Sequence, residues 1–304
     1  MSFLRNFMTW NEGTEVPDQY YFWSGLSALA ALVSRGPLFV LTGAGCSTPS
    51  GIPDYRDERG EWKRKQPVTY GEFVRREEVR RRYWARSLAG WGRLGGAEPN
   101  PAHRALATLE ASGYVHHLLT QNVDGLHHKA GHRRVIDLHG RLDRVRCLGC
   151  GALSPRDRLQ HELLARNPAF TAFVSAFAPD GDADLHEDTR LGGFEVPACE
   201  SCGGALKPDV VFFGESVPRA RVDEAYARLA ECAAMLVVGS SLMVWSGYRF
   251  VRRAVEQGIP VAALNLGRTR ADADLTLKLE ARCDEVLPAL AAWLGAGRRS
   301  TSAG

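Results

Sequence analysis

The chain has 304 residues, which is enough for one large domain with insertions or for two modest domains that each bury a core. Hydrophobic residues make up 45% of the sequence and charged residues 24%, a globular composition that excludes an intrinsically disordered chain. The net charge of +3 is too small to indicate a nucleic-acid-binding protein, and no run approaches the roughly 18 consecutive apolar residues of a membrane helix.

The N-terminal residues 1–19 contain three acidic side chains and lack a basic start followed by an apolar core, so they do not resemble a targeting peptide. We therefore expect a cytoplasmic enzyme that is monomeric and has neither a membrane nor a specific nucleic acid as a partner. In that compartment, the seven cysteines favour metal binding over disulfide bonds.

Apolar runs that end in small or polar residues predict β-strands at 37–43, 115–122, 134–140, 235–241 and 260–267. Amphipathic stretches predict helices at 25–33, 101–112, 218–232 and 248–257. Nearly continuous apolar strands with intervening helices indicate a parallel sheet that is covered on both faces, which is the α/β doubly wound fold. In such sheets, ligands bind beyond the carboxyl ends of the strands.

Two segments interrupt this alternation and are predicted to be insertions that cover the ligand edge of the sheet. Residues 57–98 are arginine-rich and helical in pattern, and residues 141–206 carry four cysteines and an acidic stretch. The predicted division is a Rossmann-like domain (1–56, 99–140 and 207–295), a helical insertion (57–98) and a smaller zinc-binding module (141–206). The tail at 296–304 is expected to be disordered.

The first predicted strand leads into a glycine-rich loop, LTGAGCSTPSGIPDYR, at 41–56. Gly43 and Gly45 would let the backbone turn tightly and approach a pyrophosphate. Thr48 occupies the position of the third glycine of the dinucleotide fingerprint, so this signal is incomplete. A thiol nucleophile at Cys46 and a purely structural turn are the alternatives.

A second group of polar residues follows the predicted strands at 115–122 and 134–140. Gln121, Asn122 and Asp124 can hydrogen-bond sugar hydroxyls and an amide, and His139 is suited to take a proton near neutral pH. These four are the candidate catalytic residues. The neighbouring histidines are interpreted as structural residues: His116, His117, His127 and His128.

Four of the cysteines form two close pairs, which indicate a structural zinc site. The pairs are Cys147 with Cys150 and Cys199 with Cys202. Two C-x-x-C turns supply the four thiolates that tetrahedral structural zinc prefers, and they leave no open position for a catalytic water. The 48 residues between the pairs exceed the usual spacing, so they should loop out as a module.

Several motifs, taken together and in this order, resemble those of the sirtuins, the Sir2 family of NAD-dependent protein deacylases: GAGCSTPSGIPDYR, TQNVDGLH, LHG, the cysteine pairs, KPDVVFFGE, VVGSSL and NLG. The similarity extends over about residues 35–290. RRYWARSLAGW, APDGD and LKLEARCDEVLP further resemble the class II branch, and most of all the mitochondrial sirtuin-4 group. The resemblance implies NAD as a co-substrate, one structural Zn²⁺ and acylated-lysine proteins as substrates.

The resemblance also implies which residues hold NAD. The loop from Gly43 to Arg56 would wrap the pyrophosphate and the nicotinamide ribose, with Tyr55 where most of the family has phenylalanine. Gln121 and Asn122 would contact that ribose. The full implied set is Gly43, Ala44, Gly45, Thr48, Asp54, Tyr55, Arg56, Gln121, Asn122, Val123, Asp124, Gly239, Ser240, Ser241, Asn265, Leu266, Gly267 and Cys283.

In the implied mechanism, the acyl-lysine carbonyl oxygen attacks the anomeric ribose carbon as nicotinamide leaves. His139 then deprotonates a ribose hydroxyl so that it attacks the imidate, and water releases lysine and O-acyl-ADP-ribose. Cys46 would then pack as a small hydrophobe. The segment at 210–215 would pair with the substrate backbone as an added strand, through Val211, Phe212, Phe213, Gly214 and Glu215.

The acyl group that the resemblance implies is acidic or long. Tyr83 and Arg86 match a Y-x-x-R pair with which class II sirtuins bind the terminal carboxylate of succinyl- or glutaryl-lysine, and the insertion at 57–98 would line the acyl pocket. We therefore expect succinyl, glutaryl, hydroxymethylglutaryl or lipoyl groups to be preferred over acetyl. The alternative is that Arg86 belongs to a solvated helix face.

Three other functions share part of this pattern. An NAD-dependent dehydrogenase would share the sheet and the glycine loop, but it would reduce NAD instead of releasing nicotinamide. A mono-ADP-ribosyltransferase would pass the activated ribose to a protein nucleophile. A zinc module that binds nucleic acid would need a basic surface beside the cysteine pairs, whereas the segment between them is acidic.

Overall fold

The computed structural model describes residues 18–63, 67–170, 174–177, 183–185 and 191–301. Its helices are α1 (Asp18–Val33), α2 (Tyr70–Arg75), α3 (Glu77–Gly95), α4 (Pro101–Ala111), α5 (Leu126–Lys129), α6 (Arg156–Arg166), α7 (Arg219–Ala230), α8 (Trp245–Glu256) and α9 (Cys283–Thr301). Its strands are β1 (Leu38–Thr42), β2 (Val115–Thr120), β3 (Val135–Asp137), β4 (Gly140–Cys147), β5 (Leu153–Pro155), β6 (Val174–Phe177), β7 (Ala183–Leu185), β8 (Leu206–Val210), β9 (Ala234–Val238), β10 (Val261–Leu264) and β11 (Leu277–Leu279).

Six strands form one parallel sheet in the order β11-β10-β9-β1-β2-β3. The central strand β1 pairs with β2 on one side and β9 on the other, so Thr42 at its end lies opposite Thr120 and Val238. The strand order reverses direction at β1, which places a ligand crevice beyond the carboxyl ends of these strands. The predicted doubly wound α/β fold is confirmed.

Both faces of the sheet are buried, as alternation along β1 requires. Leu38 and Val40 of β1 point into one core with residues of α1, α4 and α9, and Phe39 and Leu41 point into another with residues of α7 and α8. All five predicted strands are present in this sheet. The sixth strand, β11, was not predicted, because it has only three residues and all of them are half-buried.

The predicted start of the helix at 101–112 is confirmed, and Asn100 is its N-cap. The Asn100 side-chain oxygen accepts from the backbone N–H of Ala102 at 2.9 Å, and Pro101 is the first residue of α4. Such a cap stabilises a helix by about 1 kcal/mol. The Asn100 amide also donates to the carbonyl oxygen of Cys46 at 2.8 Å, so the start of α4 is tied to the glycine-rich loop.

The second part of the structure is a three-stranded antiparallel sheet, β5-β4-β8, with α6 packed on it. Its core continues into the helical insertion, because Phe73 and Trp84 of α2 and α3 share one cluster with Val145 and Leu163. The two predicted insertions are therefore packed together rather than separate. We call β4, β5, β8, α2, α3 and α6 together the small domain.

Two predicted boundaries need correction. Residue 207 was expected to begin the last part of the Rossmann-like domain, but β8 extends to Val210 and pairs with β4, so the chain leaves the small domain only after that residue. The tail expected to be disordered from residue 296 continues α9 as far as Thr301, because adding a residue to an existing helix makes one more backbone hydrogen bond.

Residues 302–304 and most of the acidic stretch at 179–188 lie outside the described residues. Within the described residues, we find no helix of sufficient length and apolar character to cross a membrane.

Candidate active site

A cleft of about 940 Å³ lies at the carboxyl edge of the parallel sheet, with walls from both the sheet loops and the small domain. It collects almost all the predicted site residues: the four candidate catalytic residues, Tyr83, the segment Val211–Glu215 and every predicted NAD position except one. Among the predicted catalytic, NAD-binding and substrate-binding residues, the exceptions are Gly267 and Arg86, which are not in its wall. Gly267 has a φ of +75° and packs on Glu58, where a Cβ atom would lie 2.4 Å from the carbonyl oxygen. The glycine at position 267 is therefore explained by its close packing on the backbone of Glu58.

The glycines of the loop at 41–56 allow a second loop to approach it closely. The Gly45 N–H donates to the carbonyl oxygen of Gly239 at 2.8 Å, and Gly239 has a φ of +59°. A Cβ atom on Gly239 would lie 2.3 Å from the backbone nitrogen of Cys46. The loops after β1 and β9 thus pack backbone against backbone and form one side of the cleft.

Cys46 lies beneath this loop and does not face the cleft. Its side chain is 0% exposed and packs in the core with Cys283, the first residue of α9. Contact with the Cys283 thiol, together with burial, raises the pKa of Cys46 well above its usual value. Cys46 therefore stays a thiol at neutral pH, which agrees with its interpretation as a packed small hydrophobe.

Ser47 joins the polar residues that follow β2. The Asn122 amide donates to the carbonyl oxygen of Gly43 and to Ser47 Oγ, both at 3.0 Å. Ser47 Oγ donates in turn to Asp124 Oδ2 at 2.7 Å. Burial raises the pKa of Asp124, while hydrogen bonds from the Leu126 N–H and from Ser47 oppose the rise. Ser47 was not predicted as a site residue, because it has no motif signature beyond its place in the loop.

His139 follows β3 and lies between two hydrogen-bond partners. Its Nδ1 atom lies 2.9 Å from the carbonyl oxygen of Gln121, and its Nε2 atom lies 2.8 Å from Ser246 Oγ. Because a carbonyl oxygen only accepts, Nδ1 carries the hydrogen, and the Nε2 lone pair accepts from the Ser246 hydroxyl. Burial lowers the pKa of His139 to about 4, and the charges of Arg221 and Arg249 act in the same direction. His139 is therefore neutral at pH 7 and can act as a base through Nε2.

The other histidines near the cleft have structural contacts. His127 Nε2 lies 2.9 Å from Thr42 Oγ1, and His128 pairs with Asp137 at 3.0 Å. Cys46, His103 and His127 lie close together. However, His103 Nδ1 accepts from the Asn100 N–H at 3.3 Å, so its Nε2 atom carries a hydrogen and is not available to a metal.

Aromatic side chains form the cleft wall next to the small domain. The rings of Tyr55, Trp62 and Phe213 pack edge to face, with centroids 5.5–6.4 Å apart. Tyr83 is buried and packs against Phe212, at 5.5 Å between ring centroids. These contacts give that end of the cleft a largely apolar lining.

The segment after β8 is less regular than the predicted strand edge. The Val211 N–H donates to the carbonyl oxygen of His139 at 2.8 Å, and the carbonyl oxygen of Phe213 accepts from the Tyr70 N–H at 2.9 Å. Glu215 accepts from the Phe212 N–H at 2.9 Å and pairs with Lys207 at 3.0 Å. The regular strand therefore ends at Val210, and the following segment is held in place by these contacts.

The four paired cysteines come together at one end of the small domain. Cys147 Sγ lies 3.4 Å from Cys202 Sγ, and Cys150 Sγ lies 3.8 Å from Cys199 Sγ. Four sulfurs around zinc at about 2.3 Å would be about 3.8 Å apart in a tetrahedron, so the group fits one structural Zn²⁺. Backbone N–H groups of Cys150 and Gly149 donate to Cys147 and lower the pKa of its thiol to about 6, which favours the thiolate that zinc binds.

The comparisons with known proteins agree with this arrangement. The Sir2 family model matches residues 43–246. The chain is similar to NAD-dependent protein deacetylase 2 of Bradyrhizobium diazoefficiens, with 63% identity over 250 residues, 82% of this chain and 91% of that protein. It is also similar to human NAD-dependent protein lipoamidase sirtuin-4, mitochondrial, with 51% identity over 254 residues, 83% of this chain and 81% of that protein.

Solved structures of Sir2 have the same fold. Sir2 bound to acetylated peptide matches with a TM-score of 0.71 and 28% identity, over 89% of this chain and 98% of that one. A complex of Sir2 with p53 peptide and NAD⁺ matches with a TM-score of 0.69 and 30% identity, over 89% of this chain and 99% of that one. The chain therefore belongs to the Sir2 family and is an NAD-dependent protein deacylase.

Proposed function

We propose that the cleft holds NAD and an acylated lysine side by side, with His139 as the base of the second chemical step. The observation that carries this assignment is the state of His139, whose Nδ1–H is fixed by the Gln121 carbonyl, while its unprotonated Nε2 atom accepts from the Ser246 hydroxyl within the cleft. A neutral imidazole with a defined tautomer is what proton abstraction from a ribose hydroxyl requires.

The NAD positions follow the walls of the cleft. The loops after β1 and β9 would hold the pyrophosphate and the adenosine half, and Asn265, Leu266 and Cys283 line the same side. Asn122 and Asp124, which Ser47 holds together, would orient the nicotinamide end. Tyr55 would cover the ribose after nicotinamide has left.

The protein substrate would enter beside the segment Val211–Glu215. Acylated-lysine proteins are the proposed partners, and their backbone would lie along this segment. Pairing through the backbone discriminates poorly between substrate side chains, so we expect weak sequence selectivity.

We further propose that the enzyme belongs with the class II sirtuins, near the sirtuin-4 group, and prefers acidic or long acyl groups. Tyr83 lies buried in the cleft wall, and the apolar lining formed by Tyr55, Trp62 and Phe213 supports the binding of long acyl chains. Arg86 lies one helical turn from Tyr83 and outside the cleft wall, so it would have to turn inward to reach an acyl carboxylate. The relatives carry both names, deacetylase and lipoamidase, so the two activities are the direct competitors.

A panel of peptides that differ only in the acyl group should show succinyl, glutaryl, hydroxymethylglutaryl or lipoyl removed faster than acetyl, measured as kcat/KM. A charge-assisted contact of about 1.5–3 kcal/mol corresponds to a preference of about 10- to 150-fold for an acidic group. The Arg86→Gln enzyme should lose that preference and keep its acetyl rate, whereas Arg82→Gln, on the exposed face of the same helix, should behave as wild type. Acetyl as the clearly best substrate would refute the proposed preference.

Radiolabel from NAD on protein, instead of on O-acyl-ADP-ribose, would favour the mono-ADP-ribosyltransferase alternative.

The Cys46→Val enzyme should retain most of its deacylase activity. Cys46 is fully buried and is replaced by a side chain of similar volume, a change that usually costs less than about 1.5 kcal/mol of stability. The measurement is kcat/KM beside the thermal unfolding midpoint. Loss of turnover with an unchanged midpoint would restore the thiol nucleophile as a hypothesis.

A further inference from the structure

Ser246 contacts the one ring nitrogen of His139 that can accept a proton. It is the second residue of α8, and its hydroxyl donates to the Nε2 lone pair of His139 at 2.8 Å. An imidazole nitrogen has a single lone pair in the ring plane. His139 therefore cannot accept from Ser246 and from a ribose hydroxyl at the same time.

The start of α8 packs against Gln121, the residue whose backbone carbonyl holds His139. Gly247 packs so closely on the Gln121 side chain that a Cβ atom would lie 2.4 Å from Gln121 Nε2. Gln121 is the residue whose carbonyl oxygen fixes His139 Nδ1. In the loop before α8, Leu242 has a φ of +56°, a conformation that costs energy and persists only when its surroundings enforce it. Ser246 is thus held at a fixed place relative to the base.

A hydroxyl in this place has both functions that a relay needs. It donates one hydrogen bond and has two lone pairs to accept others, so Ser246 can accept from a ribose hydroxyl while it donates to His139. It also lines the cleft, on the side where the NAD positions lie. Among the described residues, His139 is the only side-chain hydrogen-bond partner of the Ser246 hydroxyl, so turning the hydroxyl away would give up that bond.

We propose that Ser246 relays the proton from the ribose hydroxyl to His139. The ribose O–H bond breaks as its hydrogen passes to Ser246 Oγ, and the O–H bond of Ser246 breaks as its hydrogen passes to His139 Nε2. Ser246 ends with one hydrogen as before, His139 becomes the imidazolium, and the ribose oxygen keeps the electron pair with which it attacks the imidate. This relay rests on the proposed role of His139 as the base.

The test separates the two chemical steps. Nicotinamide exchange reports the first step, which needs no base, and single-turnover formation of O-acyl-ADP-ribose reports the second. Ser246→Ala should keep nicotinamide exchange unchanged and slow the single turnover by about tenfold or more, with the about 10²–10⁴-fold contribution of a general base as the upper bound. Ser246→Thr, which retains a hydroxyl, should restore most of the rate.

Mixtures of H₂O and D₂O supply a measurement that a merely structural role would not change. Two protons move together in the relay, so the wild-type rate should depend on the deuterium fraction along a curve, and the Ser246→Ala rate along a straight line. Wild-type or faster turnover in Ser246→Ala would overturn the relay, because it would mean that the hydroxyl only obstructs the base. Equal loss of exchange and turnover would also overturn it. His139→Ala measured in parallel distinguishes the failures: if that variant retains turnover, the proposed role of His139 as the base is wrong, and the relay then has no acceptor.

Discussion

Replacing His139 with alanine is expected to lower the single-turnover rate of deacylation by about 10²–10⁴-fold, the usual contribution of a general base. His139 is the only histidine in the described lining of the cleft, and its pKa of about 4 keeps the ring neutral at pH 7, so that Nε2 can take up a proton. NAD binding should persist, since the residues assigned to the pyrophosphate belong to other loops. Calorimetry with NAD and rapid-quench analysis of O-acyl-ADP-ribose measure the two effects separately.

The exposed His161 of α6 provides the control. His161→Ala removes the same side chain at a distance from the cleft and should leave both measurements unchanged. Nicotinamide exchange should also survive in the His139→Ala enzyme, because in the proposed mechanism the acyl oxygen attacks before any base is needed. If His139→Ala turned over at the wild-type rate, the base would have to be sought among the other cleft residues.

The sequence predicted the parallel sheet and the position of the cleft for a simple physical reason. A strand that is buried on both faces is a nearly continuous apolar run, and the polar residues at its end mark the ligand edge. Gln121 and His139 follow β2 and β3 in this way, and the structure brings the carbonyl oxygen of one within 2.9 Å of the ring of the other.

Contacts between distant segments could not be predicted in the same way. His139 and Ser246 are 107 residues apart, and nothing in the sequence near Ser246 indicates that its hydroxyl faces a histidine. The close approach of Gly45 and Gly239 is similar: both glycines were predicted to bind NAD, but their contact with each other depends on the pairing of β1 with β9.

The sequence patterns also did not indicate that the two insertions form one small domain. Its two parts looked like separate insertions because the helices at 70–95 and the cysteine module are divided by β2 and α4. The apolar side chains of the two parts form one core, in which Trp84 of α3 lies in a cluster with Val145 of β4 and Leu163 of α6. The Trp84 indole also donates to the carbonyl oxygen of Leu206 at 3.1 Å.

This shared core makes zinc removal the second change with a large expected effect. Chelation should unfold the small domain, because structural zinc contributes about 10–16 kcal/mol of apparent binding energy, which matches or exceeds the about 5–15 kcal/mol of a whole domain's stability. Cys202→Ser should have the same effect by removing one of the four ligands. Amide hydrogen exchange should then show lost protection in β4, α3 and α6 and retained protection in the six-stranded sheet.

Deacylation should be lost with the zinc even though no cysteine of the site faces the cleft. Tyr83 and Phe212 belong to the small-domain core and also line the cleft, and the Val211 N–H contacts the carbonyl oxygen of His139, so unfolding removes one wall and a support of the base together. Cys232→Ala, at a buried cysteine in the core of the parallel sheet, is the matched control and should keep its zinc and its activity. Full protection of α3 and α6 in the zinc-free protein would show that the hydrophobic cluster alone holds the small domain, and the metal would then have to be assigned another role.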